Sequence, residues 1–475
     1  MKNYIKIIAL GSILSLASCS DLLDTEPRQS LTPDTALSDV NGYESLLATA
    51  YTGARSFGSY GQSLMIAPEI MADNLRIIAN TGRYIGQEVN ADRQHMGLWG
   101  NYGAINVTNI IINGVDAVEG DATRKNRIKG EAFFLRALYY FDLAKVYGYE
   151  PGKEVNGWNN SVIIRTTPTL SFSDADFKAR STNRQVYDLI ESDLNTAIGL
   201  LPSAAQGSNG IYRVTKGAAE ALLARAYLYD SKLPQAAAMA TQSMTTFNLG
   251  NDGTGLSTPA NYVSGFSTYP NPESLFEIEI RSVDWSTVDG VNNSMCTLTS
   301  NVFTGAQFIV TASNELIAAY EIGDIRRNAW IATTRSGATG TVFRSAKWLG
   351  TKGDFLENLP IMRAAELFLI RAEARFRTDA PGARSDLNAL RSKRGLAAVD
   401  AGLVGDALFN QILKERRVEF ALEGHRWFDL KRNGLTISKH SNNQPVPYSD
   451  YRLLAPLPQD QLILNELLVD NPGYN

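Results

Sequence analysis

The amino-acid sequence predicts a mostly α-helical protein, built from pairs of helices and interrupted by two long irregular segments. Three observations support this fold class. Apolar residues recur at three- and four-residue spacing in several separate blocks, as on one face of an α-helix. Alanine is frequent in those blocks, and its small side chain lets helices approach closely. Residues 148–183 and 248–358 are instead rich in Gly, Ser, Thr, Asn and Pro, which favours loops and short strands.

The start of the chain predicts export and lipidation. Two lysines precede an apolar run, residues 7–16, that is too short to span a bilayer. The following Leu-Ala-Ser-Cys sequence resembles the lipobox of bacterial lipoproteins, which is cleaved just before the cysteine. We therefore predict a signal peptide over residues 1–18, lipidation at Cys19, and a lipidated lead over residues 19–40. An ordinary secretory signal with an incidental cysteine is the alternative.

The rest of the chain, residues 41–475, is predicted to form a single domain. Within the block 216–246, Pro234 stands where a second helix would begin, a position that tolerates proline. Helix–turn–helix units of this length resemble tetratricopeptide repeats, although unrelated amphipathic helices would give the same periodicity. A further helix is predicted from residue 411 to about residue 431. The predicted helix pairs cover about residues 41–118, 123–201, 215–246 and 361–392.

Composition excludes several classes of function. The chain has 45 Lys and Arg against 49 Asp and Glu, a formal net charge of −4, which does not favour nucleic-acid binding. Two cysteines and three histidines cannot supply a disulfide framework or a cysteine-rich metal centre. The sequence lacks the common nucleotide-binding and hydrolase motifs. We therefore predict no catalytic residues, no metal and no cofactor. A glycoside hydrolase stays open, because its paired carboxylates can come from separate segments.

Short phrases in the C-terminal half identify a family. They are Leu-Pro-Ile-Met-Arg at 359–363, Arg-Ala-Glu-Ala at 371–374, Glu-Arg-Arg at 415–417, Glu-Gly-His-Arg-Trp-Phe-Asp-Leu-Lys-Arg at 423–432, and Asn-Pro-Gly-Tyr at 471–474. In this order they resemble the SusD/RagB family of Bacteroidetes outer-membrane lipoproteins, and the similarity runs nearly end to end. The resemblance implies a SusD-like fold and a partner, a SusC-like TonB-dependent transporter. It also implies a non-enzymatic protein at the outer membrane that captures nutrients.

The signature phrases themselves are interpreted as architecture. The charged groups around His425 are expected to form charge-assisted hydrogen bonds between helices, and Trp427 is expected in the core. Arg363 and Glu366 are spaced to pair on one helix.

Candidate ligand-binding residues are aromatic and polar side chains in irregular segments. Sugar recognition uses aromatic faces against pyranose C–H groups, with amide, carboxylate and guanidinium groups bridging hydroxyls. We predict a carbohydrate ligand, with a peptide or glycopeptide ligand and a purely structural adaptor as alternatives. The candidates are Asp73, Arg76, Tyr84, Trp99 and Asn101 in an early segment, Trp158 at a loop tip, and Tyr269 and Trp285 in the second insert.

Overall fold

The computed structural model describes residues 37–171, 173–203, 207–440 and 443–474. The predicted signal peptide, Cys19 and most of the predicted lead lie outside the described residues. Within the described ranges, no helix has both the length and the apolar character needed to cross a bilayer.

The first half of the chain is helical, as its periodicity predicts. Helix α5 starts five residues before the periodic block at Arg127, because the Asp121 side chain accepts a hydrogen bond from the Arg124 N–H and caps it. The helices are α1 Val40–Arg55, α2 Ser63–Met71, α3 Ile85–Glu88, α4 Asn101–Gly114, α5 Ala122–Tyr147, α6 Asn183–Leu200, α7 Lys216–Tyr229 and α8 Leu233–Thr246.

The second insert carries short elements. Its helices are α9 Tyr262–Gly265, α10 Thr287–Asn293, α11 Met295–Thr299 and α12 Asn314–Ala319. Four strands also lie in it, and β1 in the early segment and β6 just after the insert pair with two of them. The strands are β1 Leu75–Ile77, β2 Ser274–Ile278, β3 Val310–Ala312, β4 Trp330–Thr333, β5 Val342–Ser345 and β6 Leu359–Arg363. They form three antiparallel pairs, β1 with β3, β2 with β6 and β4 with β5.

The C-terminal region returns to helices, with one difference from the prediction. Residues 359–363 form β6, so the helix predicted from residue 361 begins only at Ala364. Pairing with β2 supplies the backbone hydrogen bonds of this segment, and a tertiary pairing of this kind overrides helical periodicity. The remaining helices are α13 Ala364–Arg375, α14 Ala380–Ser392, α15 Gly405–Glu419, α16 Arg426–Arg432 and α17 Gln459–Leu464.

The single helix predicted over residues 411–431 is two helices, α15 and α16, separated by a turn. Leu422 and Gly424 both have positive φ in that turn, at 66° and 77°. A Cβ on Gly424 would lie 1.9 Å from the carbonyl oxygen of Leu64. The chain therefore breaks where the backbone of α2 approaches it.

The core is centred on α5, α7 and α13, whose inward faces are fully buried. Helix α7 packs on its partner α8, and α13 on α14, so the predicted pairs at 215–246 and 361–392 are adjacent helices in space. Within α7, the alanines at 218, 219, 221, 224 and 226 are all fully buried, which explains the alanine-rich pattern.

The signature phrases are structural, as predicted. The Arg363 guanidinium donates to Glu423 at 2.7 Å, Glu273 at 2.8 Å and Glu419 at 3.0 Å. Trp427 is fully buried. The predicted pairing of Arg363 with Glu366 is wrong, because Arg363 lies on β6 rather than on a helix.

Candidate ligand-binding site

Strands β1 and β3 bring the early segment against the second insert. Leu75 pairs with Ala312 and Ile77 with Val310, and the intervening Arg76 lies opposite Thr311. The half-buried Arg76 side chain donates to the carbonyl oxygen of Thr341 at 3.3 Å. Two of the three regions in which the sequence predicts ligand-binding residues, the early segment and the second insert, are therefore neighbours in space.

A cluster of amide, guanidinium and phenol groups surrounds α10. Arg83 donates to the carbonyl oxygen of Asn292, and Gln307 Nε2 donates to Asn292 Oδ1 at 2.8 Å. The Tyr84 hydroxyl donates to Gln62 Oε1 at 2.6 Å, and Gln62 Nε2 donates in turn to the last carbonyl of α10 at 2.7 Å. Burial raises the pKa of Tyr84, so its phenol stays protonated and donates.

Exposed apolar side chains accompany these polar groups. Val288 on α10 is 67% exposed, and Val302 in the loop after α11 is 42% exposed. We name the α10 residues and the groups bonded around them the α10 surface, and it comprises Arg83, Tyr84, Val288, Asn292 and Gln307.

Asp73, predicted to bind a ligand, is buried and bound to the protein. Its carboxylate accepts from Arg426 Nε at 2.7 Å and lies 3.2 Å from Arg417 Nη2. Burial opposes the charged form, but the two guanidinium groups outweigh burial and lower the pKa of Asp73. The carboxylate therefore joins the early segment to α15 and α16, and its charge is already compensated.

Trp99 and Asn101 lie at the start of α4, where they pack against α5. The half-buried Trp99 ring is 5.0 Å from the Tyr102 ring and 5.3 Å from the Tyr147 ring. Asn101 is buried, and its Nδ2 has no partner among the described residues. The Trp99 ring is therefore positioned by Tyr102 on α4 and Tyr147 on α5, and Asn101 is withdrawn from the surface.

Trp158 is fixed by the C-terminal segment and is not an isolated indole at a loop tip. Its Nε1 donates to Asn471 Oδ1 at 2.9 Å, and the Arg180 guanidinium lies 5.7 Å from the ring centre. The ring is half-buried. This packing accounts for an indole that sequence alone leaves unexplained.

Tyr269 and Trp285 differ in accessibility. The Tyr269 hydroxyl is half-buried and lies 3.1 Å from the Thr351 hydroxyl, and burial raises its pKa to about 12. Trp285 is only 7% exposed, with its ring 4.6 Å from that of Phe57. With so little of it exposed, the indole offers no ring face for a sugar to stack on.

Tyr84 and Arg76 in this region are predicted from the sequence, whereas Arg83, Asn292 and Gln307 are not. Amides and arginines are common in loops, so composition gives no reason to single out these three. Their convergence depends on the β1–β3 pairing, which joins residues more than 200 positions apart. Within the described residues, no group of three or more His, Cys, Asp or Glu side chains could hold a metal ion.

The fold and this surface define a class of protein: a helical scaffold that carries exposed polar groups on irregular segments. Residues 21–228 match a family model described as "Starch-binding associating with outer membrane", and residues 350–474 match the model of the SusD family. The chain therefore belongs to the SusD/RagB family.

Curated relatives are similar over nearly the whole chain. A SusD-like protein P2 from Formosa agariphila is 25% identical over 534 aligned residues, and the alignment covers the full length of both chains. A SusD-like protein from Bacteroides ovatus is 24% identical, over 90% of this chain and 82% of its own.

Solved structures share the fold. A SusD superfamily protein from Bacteroides vulgatus is 26% identical, with a TM-score of 0.79 over 92% of this chain and 99% of its own. A structure described as a laminarin binding SusD-like protein is 22% identical, with a TM-score of 0.73 over 92% of this chain and all of its own.

Proposed function

We propose that this protein binds an oligosaccharide or polysaccharide at the α10 surface, without chemical conversion. The observation that carries the proposal is the convergence of Arg83, Asn292 and Gln307 on one exposed helix. Planar amide and guanidinium groups can bridge adjacent sugar hydroxyls, and the exposed Val288 offers an apolar contact for ring C–H groups. The starch-binding description of the matching family model supports the same ligand class.

The protein is proposed to act at the outer membrane as the ligand-binding subunit of an uptake complex. Cys19 would carry the lipid anchor, and a SusC-like TonB-dependent transporter would receive the ligand. Membership of the SusD/RagB family supports this assignment. Several acyl chains on one cysteine anchor a protein firmly, because each buried methylene contributes about 0.8 kcal/mol.

Native affinity gels would test the ligand class. The protein without its first 19 residues is run in gels cast with starch, laminarin, other plant and host polysaccharides, and in a peptide competition series. Retardation by a glycan, with no reducing ends released, is the expected result. Peptide binding without glycan binding would favour the peptide alternative, and release of reducing ends would favour the hydrolase. Binding of neither glycan nor peptide would favour the structural adaptor.

The location of the site is tested by the double substitution Asn292→Ala and Gln307→Ala. Each lost hydrogen bond is worth about 1 kcal/mol, so glycan affinity should fall at least about tenfold. The matched control is Asn195→Ala, which removes an exposed amide from α6. Unchanged retardation of the double variant, with an unchanged thermal midpoint, would place the ligand elsewhere on the molecule.

A further inference from the structure

A cleft of about 120 Å³ opens between α1, the end of β2 and the segment before α7. Tyr51 and Arg55 reach it from successive turns of α1, and Tyr212 and Arg213 close it from the opposite side. Arg281, just beyond β2, forms its outer edge. None of its lining residues belongs to the α10 surface. We name it the Tyr212 cleft, and its aromatic and charged lining residues are Tyr51, Arg55, Tyr212, Arg213, Glu279 and Arg281.

The lining is predominantly cationic. Three guanidinium groups, those of Arg55, Arg213 and Arg281, meet one lining carboxylate, that of Glu279. Glu279 is already approached by Lys352 Nζ at 3.4 Å.

The carboxylates behind the lining leave a positive surplus. Arg55 and Arg281 share one carboxylate, that of Asp284. Arg213 lies 2.7 Å from both Glu131 and Glu44, but those two carboxylates also pair with Arg127, and Glu44 pairs in addition with Arg124. Among the lining groups and their direct partners, four cations face four carboxylates. Arg124 and Arg127, which bind Glu44 and Glu131, raise the count over the connected ion pairs to six cations against four carboxylates.

One arginine donor in the cleft lacks a partner. The Arg55 side chain is 12% exposed, and its Nε is buried with no hydrogen-bond partner among the described residues. An unpaired buried donor costs about 1–3 kcal/mol, and more when the group is charged. Because this Nε is shielded from solvent, a ligand oxygen in the cleft reaches it only if the Arg55 side chain shifts.

The tyrosines give the cleft aromatic walls. The Arg213 guanidinium lies 5.0 Å from the centre of the Tyr51 ring, which orients it. The half-buried Tyr212 hydroxyl accepts a hydrogen bond from Asn358 Nδ2 at 3.1 Å, so its ring is held in place at the mouth. An aromatic ring beside guanidinium groups suits a sugar that carries an acidic substituent.

We infer that the Tyr212 cleft binds the carboxylate or sulfate group of an acidic polysaccharide. The cleft has the volume of a few water molecules, which admits the anionic group while the sugar ring stays at the mouth against Tyr212. Only the identity of the carrier as a glycan rests on the proposed function. The binding of the anion itself rests on the arginines.

Isothermal titration with matched probes tests this inference. The probes are tetragalacturonate, its methyl ester, and a sulfated dextran oligosaccharide beside unsulfated dextran. We expect at least one anionic probe to bind about tenfold or more tightly than its neutral partner, and binding to weaken as salt rises. A carboxylate preference would indicate a uronic acid, and a sulfate preference a sulfated sugar. Equal binding of charged and neutral probes, or no binding of either anion, would overturn the inference.

The variant for this test is Arg281→Gln. Its side chain is 54% exposed, so the substitution should preserve the fold. The affinity for the anionic probe should fall about tenfold. The control is Arg377→Gln, which removes an exposed arginine paired with Asp406 on another face. Equal losses in both variants would point to non-specific attraction and contradict the cleft.

The two proposals can be disproved independently of each other. The Asn292→Ala and Gln307→Ala variant should retain binding of the anionic group, whereas Arg281→Gln should retain binding of neutral glycans. Anion binding without glycan retardation would support the Tyr212 cleft as an anion site and contradict the glycan proposal.

Discussion

Burial decides whether an individual side chain is accessible to a ligand. Asp73 and Trp285 both have the chemistry expected of sugar contacts, yet both are buried by groups far away in the chain. Asp73 contacts arginines more than 340 positions later, and Trp285 packs on Phe57. Side-chain type therefore defines a set of candidates, and exposure selects among them.

Trp285→Ala is expected to act on stability. Removing a buried tryptophan leaves a cavity and costs about 3–5 kcal/mol, so the urea midpoint should fall. Tyr269→Phe is the comparison, because it removes only the hydroxyl contact with Thr351, worth about 1 kcal/mol. Loss of glycan retention in Trp285→Ala with an unchanged urea midpoint would show that the indole faces the ligand.

At the scale of elements, most helix boundaries follow local signals. Thr182 and Gln185 form a reciprocal capping box at the start of α6, and Pro234 occupies the first turn of α8. The two boundaries predicted wrongly, at β6 and between α15 and α16, are set by other elements. Strand β6 pairs with β2, and the turn after α15 meets the backbone of α2.

Gly424→Ala tests the close approach between that turn and α2. A left-handed conformation costs a non-glycine residue about 1–2 kcal/mol, and here the new Cβ would also meet the Leu64 carbonyl at 1.9 Å. Gly434→Ala is the matched control, since Gly434 has φ of 66° and open space around its Cβ position. Thermal unfolding should show a clearly larger loss for Gly424→Ala. Equal losses would mean that α2 moves away at little cost.

At the scale of the whole molecule, buried ion pairs join segments that are distant in sequence. Glu366 on α13 accepts from Arg225 on α7 at 2.5 and 2.7 Å, and both side chains are buried. Leaving one partner of such a pair uncompensated is strongly destabilising. These contacts hold the two halves of the helical body together.

The stabilisation by the Glu366–Arg225 ion pair is expected to depend on pH, and Glu366→Gln tests this. Burial opposes the charged form of Glu366, but the Arg225 guanidinium prevails and lowers the pKa from 4.5 to about 2. Since the folded pKa is the lower one, the contribution is complete above pH 4.5 and is lost as pH falls towards 2. The difference of about 2.5 pKa units corresponds to about 3 kcal/mol.

Chemical denaturation at pH 7 and at pH 2.5 measures this effect. Glu366→Gln should be less stable than the unaltered protein at pH 7, and the gap should narrow markedly at pH 2.5. The control, Glu119→Gln, changes an exposed acid and should leave both curves in place. A gap independent of pH would contradict a role for the carboxylate charge.

The sequence by itself determined the helical fold class, most helix boundaries and the family. Helical periodicity, caps and signature phrases are local properties, and these residues keep the same neighbours along the chain whatever the tertiary structure. Tyr84 and Arg76 were likewise predicted from residue type, and both lie in or beside the region that forms the α10 surface.

Only the tertiary structure decided which polar side chains stay exposed together. Arg83, Asn292 and Gln307 meet because the short strands β1 and β3, which are far apart in sequence, pair with each other. Arg55, Arg213 and Arg281 meet because α1, the segment before α7 and the segment after β2 pack around one cleft. Burial and convergence depend on contacts between distant segments, and spacing along the chain does not encode them.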